Sequence, residues 1–138
     1  MPILILLDTD DSDMTRQRIK QPNWLDLPEE HDYPAAANYL ALTLAPKQVA
    51  KIVKTLRKAD ISLFKAKDIF RASGLSLLGV SNSHVEKDRK KIVKGSPISP
   101  LLLVRDSLNG RVIIADGYHR LCAIYGLDED AAIPCKIV

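Results

Sequence analysis

The apolar positions of this chain change period several times, and each change marks an element. From Pro46, "PKQVAKIVKTLRKA" carries apolar residues at 49, 52, 53 and 56. That spacing gathers Val49, Ile52, Val53 and Leu56 on one face of a helix and strings Lys47, Lys51, Lys54 and Lys58 along another. Pro46 suits the opening position, where a missing N–H costs nothing. Pro34 stands in the same relation to "AAANYLALTL" and predicts an earlier helix that begins there. "AKDIFRAS" is a short helical stretch closed by Gly74. "SNSHVEKDRKKIVKG" predicts a helix ending at Gly95, with Ser83 as N-cap and Glu86 three residues on, in the capping-box arrangement.

Elsewhere the 3.6 period gives way. "ISLF", from Ile61, reads as a short strand. "PLLLV" and "RVIIA" are apolar at successive positions, as strands buried on both faces are. "RDSLNG" joins them, and Asn109-Gly110 is a turn signal, so a β-hairpin is predicted. A helix over 117–126 follows, and "IPCKIV" supplies a final strand with Pro134 near its start. At the other end, "MPILILL" predicts a strand leading into the acidic loop "DTDDSD". Residues 14–32 contain Pro22 and Pro28, show no sustained period and read as an arm. The sum is an α+β domain, a small mixed sheet with helices, over residues 61–138. Residues 1–60 form a partly helical N-terminal extension.

A chain of 138 residues suffices for one core. At 46% hydrophobic and 27% charged it has the balance of a globular protein. No run approaches the ~20 apolar residues of a membrane span. "MPILILL" lacks a basic leader and a cleavage site, so the expectation is a cytoplasmic protein without a signal peptide. Cys122 and Cys135 sit among apolar neighbours with no metal-binding spacing, and read as buried thiols.

The net charge of +3 is unevenly spread: residues 34–105 carry fourteen bases against four acids. Such a middle suits an anionic partner, but charge alone does not distinguish nucleotide from nucleic acid or from a solvated surface. The lysine stripe at 47, 51, 54 and 58 is the candidate track for a nucleic-acid backbone. Aromatics are scarce and none alternates with these lysines, which argues against a stacking platform.

The candidate chemistry lies in "RVIIADGYHRLCAIYGL". A buried strand runs through Asp116, Gly117, Tyr118, His119 and Arg120 into an amphipathic helix. The first turn of a helix presents unpaired N–H groups and partial positive charge, and glycine lets the backbone approach an anion. Arg120 adds a fork that matches phosphate oxygens, and His119 donates a hydrogen bond or moves a proton. Asp116 is a candidate to cap the helix, orient His119 or share a metal ion. The plainer reading of the five is a capped turn with solvated side chains.

"ADGYHRLCAIYGL" and "AIPCKIV", preceded by "HVEKDRKKIVKGSPISPLLLV", resemble the ParB/sulfiredoxin superfamily, in which a strand runs into G-x-H-R or G-x-R-R and then a helix. The likeness spans about residues 62–138. It implies nucleotide phosphates at the turn, hence contacts from Gly117, His119 and Arg120 with Tyr118 beside them. It also implies polar contacts from the preceding helix, at His84, Lys87 and Lys91, which share one helical face. Lys65 and Lys67 are weaker candidates at the edge of the fold. Mg²⁺ with a nucleoside triphosphate is the cofactor implied, and phosphate hydrolysis or transfer the activity.

Two departures limit the likeness. Tyr118 stands where sulfiredoxins carry their catalytic cysteine, so sulfinic-acid reduction is not expected. ParB proper continues into a helix-turn-helix domain, and no such segment precedes Val138. D-G-x-H-R also resembles phosphotransferase-like branches such as ADP-dependent serine kinases. The alternative function is a non-enzymatic, DNA-associated accessory module that uses the basic middle. "ILILLDTDD" is superficially similar to the nucleophile motif of haloacid-dehalogenase-type phosphatases, with Asp8 and Asp10 in the acidic roles. The chain is short for that fold, and a solvated acidic loop, or an acidic patch that docks on the basic middle, is the better reading.

Overall fold

The computed structural model describes residues 21–79 and 81–138. The strand expected in "MPILILL" and the acidic loop after it lie outside the described residues. In chain order the elements are β1 (Asn23–Trp24), α1 (Asp32–Leu40), α2 (Pro46–Lys58), β2 (Ile61–Lys65), α3 (Ala66–Ser73), α4 (Ser83–Lys94), β3 (Pro97–Ile98), β4 (Leu101–Asp106), β5 (Arg111–Asp116), α5 (Tyr118–Leu127) and β6 (Ala132–Ile137). The architecture is α+β. Four strands form a mixed sheet in the order β2-β6-β4-β5, and β1 pairs with β3 in a short parallel ribbon. Within the sheet, β4 runs parallel to β6 and antiparallel to β5, while β2 runs antiparallel to β6.

Strand residues alternate faces, so two consecutive buried side chains need two covers. Leu101 and Leu103 pack with Val112, Ile114, Ile133 and Cys135 against α3, α4 and α5. Leu102 and Val104 pack with Ala115 on the opposite face, against Tyr33, Ala36 and Leu40 of α1 and Val49 and Leu56 of α2. The helices of the N-terminal extension are therefore the second cover of the sheet. Lys136 of β6 points to the same side as α2 and is 3% exposed. Its ammonium donates to the Arg57 carbonyl near the end of α2 at 2.8 Å, a placement that suits the helix's negative end.

The helix boundaries follow local chemistry, with two corrections. α1 starts at Asp32, so Pro34 is its third helical residue instead of its first; any first-turn position tolerates proline. α4 is capped by Asn82, whose side-chain oxygen accepts from the His84 and Val85 N–H groups at 3.0 and 3.2 Å. Ser83 is the first helical residue, and Glu86 binds Arg89 at 2.8 Å instead of closing a capping box. The hairpin joins through a 3₁₀ turn, Ser107–Asn109, ended by Gly110 in the left-handed region. Asp106 accepts from both the Asn109 amide and the Arg111 guanidinium, which hold its carboxyl below the usual range.

Both cysteines are buried and unpaired. Burial pushes the Cys135 thiol up to about 12. No helix among the described residues is long and apolar enough to cross a membrane.

Leu102 is fully buried between the sheet and α1–α2, whereas Leu108 is fully exposed. Leu102→Ala should cost about 2–5 kcal/mol in urea unfolding, and Leu108→Ala within about 0.5 kcal/mol of nothing. Equal effects at the two positions would contradict the two-sided core.

Candidate functional site

β5 ends at Asp116, and α5 begins at Tyr118 with Gly117 as its N-cap. Gly117 has φ 108°, in the left-handed region. A Cβ there would lie 2.8 Å from Leu101 Cγ and 2.9 Å from Arg120 Nη2. The corner therefore demands glycine twice, once for its dihedral and once for space. No side chain caps α5, and the first intrahelical bond runs from the Leu121 N–H to the Gly117 carbonyl. The N–H groups of Tyr118, His119 and Arg120 thus face the corner without a capping acceptor.

Asp116 neither caps the helix nor orients His119. Its carboxylate accepts from Arg120 Nη2 at 3.1 Å, and the two side chains are each only 17% exposed. The same Nη2 reaches the Pro100 carbonyl at 3.4 Å. Arg120 Nε is buried with no hydrogen-bond partner, a condition that costs roughly 1–3 kcal/mol for a polar group. Arg120 is therefore folded against the sheet end with one donor spare. Burial pushes the Asp116 carboxyl up, Arg120 pulls it down, and the Asp32 carboxylate adds to the upward push.

His119 turns the other way. Its ring lies 4.9 Å from that of His84 and 5.5 Å from that of Tyr118, centroid to centroid. His84 is the second residue of α4, so the starts of two helices meet at a pair of imidazoles. The Tyr118 hydroxyl donates to the Ser76 carbonyl and ties the connection between α3 and α4 to the corner. Lys87 and Lys91 are exposed on α4, one and two turns beyond His84.

Lys65 and Lys67 gather elsewhere. Lys67 Nζ pairs with Asp130 at 2.6 Å, and the Lys65 charge also acts on Asp130. Asp130 follows the C-terminus of α5, and ten helical residues separate it from the corner, about 15 Å. The basic middle is divided as well. The lysines of α2 and those of α4 belong to helices on opposite faces of the sheet.

One group was not foreseen. Donor atoms of Glu29, His31 and Asp32 all lie within 4.8 Å of one another. Asp32 is 3% exposed and accepts from the Glu29 N–H at 3.0 Å, and that N–H is shared with Ser99 Oγ. Ser99 adjoins Pro100, whose carbonyl holds Arg120, so the group borders the corner. "EEHDYP" contains the residue types but no spacing that brings them to Asp116; only the packing of α1 on β5 does so.

Two stability outcomes follow. Gly117→Ala should destabilise by more than about 1 kcal/mol in thermal or urea unfolding, from dihedral strain and the Leu101 overlap. Because the Asp116 carboxyl titrates above its unfolded value, its stabilising contribution is complete below the usual aspartate range and is lost as pH rises through the raised folded value. Asp116→Asn, which still accepts from Arg120, should therefore gain stability relative to wild type as pH goes from about 4 to about 7. A difference that stays flat with pH would show that Asp116 titrates normally.

No protein-family model, no curated protein and no solved structure matches this chain.

Proposed function

We propose that the start of α5 binds a phosphate-bearing small molecule of the nucleotide class. The observation that carries this reading is the uncapped, glycine-opened helix start at which His84 and His119 meet at 4.9 Å. Helix N-termini and imidazoles both favour an oxyanion, and here two imidazoles converge on an uncapped helix start. The Arg120 guanidinium, held against the sheet end by Asp116, adds positive charge beneath the turn. The resemblance to the ParB/sulfiredoxin superfamily, in which nucleotide phosphates sit at the equivalent turn, agrees with this chemistry.

In this reading Gly117 lets phosphate oxygens approach the N–H groups of the first turn. His119 and His84 donate to those oxygens from either side. Arg120, fixed by Asp116, contributes charge from beneath. Lys87 and Lys91 neutralise phosphates further along α4. Mg²⁺ accompanying a triphosphate would supply charge neutralisation and draw on carboxylate oxygens, at Asp116 and Asp32, in preference to imidazole. Phosphoryl chemistry asks mainly for positioning and charge, which suits a corner without a cysteine nucleophile.

Calorimetric titration of ATP, CTP, GTP and ADP, with and without Mg²⁺, tests the reading. Saturable binding is expected, weakened by about tenfold or more in Arg120→Ala, a loss of about 1.4 kcal/mol. His119→Ala, which leaves the Asp116–Arg120 pair intact, should weaken it comparably. No nucleotide binding, together with salt-sensitive duplex DNA binding that survives both substitutions, would replace this reading with the accessory-module one.

A further inference from the structure

α1 and α2 diverge to leave an open trough of about 480 Å³ on the far side of the sheet from the α5 corner. Tyr33, Ala37 and Ala41 line one bank, and Pro46, Ala50 and Val53 the other. The small side chains keep it shallow and apolar, and the Arg57 guanidinium lies over the Tyr33 ring at 4.3 Å. The volume falls within the roughly 300–1,000 Å³ of sites that take apolar groups. Lys47, Lys51, Lys54 and Lys58 occupy the stripe of α2 next to Ala50 and Val53, and all four are exposed. An occupant must therefore be apolar along one edge and anionic along the other.

The chain carries one segment of that chemistry. "ILILL", residues 3–7, is followed by Asp8, Asp10, Asp11 and Asp13. We propose that residues 3–13 of this chain dock in the α1–α2 trough, with the aliphatic side chains in the groove and the aspartates along the lysine stripe. The dimensions agree. Lys47 to Lys58 spans about 16 Å at 1.5 Å per helical residue, and Asp8 to Asp13 spans about 16 Å at 3.3 Å per extended residue. The stretch from Asp13 to Gln21 reaches up to about 29 Å, more than the whole length of α2, about 20 Å.

Amide hydrogen exchange on the full chain is the test. Amides of residues 3–7 should be protected about tenfold or more over an unstructured peptide. Protection should fall about tenfold in Lys51→Glu/Lys54→Glu and return when Asp10→Lys/Asp11→Lys is added. Ala50→Glu, which puts a carboxylate into the groove, should abolish it. The lysines are exposed, so an unchanged melting temperature separates loss of docking from loss of fold. Absence of protection in wild type, or protection indifferent to the charge reversal, overturns the proposal. Protection that grows with protein concentration also overturns it, because the segment would then come from a second copy.

Discussion

Leu101, Leu102, Leu103 and Val104 are all buried, and successive strand residues point to opposite faces, so each face of the sheet requires its own cover. One cover is the three-helix layer of α3, α4 and α5; the other is α1 with α2. Burying each of these side chains contributes on the order of 1.5–3 kcal/mol, and exposing either face would forfeit several such contributions at once. The same strand sets the position of the α5 corner. Leu101 closes against Gly117, Pro100 holds Arg120, and Leu102 is paired with Asp116 across the β4–β5 ladder. The candidate site is thus mounted on a strand with four consecutive buried residues.

The corner divides its polar groups by direction. Asp116 and Arg120 face inward and satisfy each other, while His119 faces outward to meet His84. An inward ion pair of this kind stabilises only modestly, since desolvation opposes attraction, but losing one partner strands the other. Its value lies in fixing the geometry of the turn. With the turn fixed, its uncapped N–H groups are ordered by the fold itself. The acid-and-histidine group at the start of α1 places further negative charge nearby, where Asp32 adds to the upward push on the Asp116 carboxyl.

Much of this was legible in the sequence, for identifiable reasons. α2 and α3 announced themselves by period, glycine and proline, and the strands of the hairpin by unbroken apolar runs. Those runs also implied two covers, although the N-terminal helices looked like an addition when read by themselves. The cap of α4 was misplaced by one residue because asparagine and serine serve equally at that position, and only the hydrogen bonds distinguish them. The five residues of the corner were visible as a group. The inward turn of Arg120 was not, because its second partner is a backbone carbonyl twenty residues away. Nor was the His84–His119 meeting, which depends on how two helices cross.

The overlap that any larger residue would suffer at Gly117 has a consequence for anyone redesigning this protein. Any Cβ at Gly117 would overlap both Leu101 and Arg120, so that position cannot be enlarged without disturbing the two of them. Tyr118 and His84 stand outside that overlap: the Tyr118 hydroxyl reaches the Ser76 carbonyl, and the His84 ring meets that of His119. Substitutions introduced in a library are therefore better placed at those two outer positions, with Gly117 held constant.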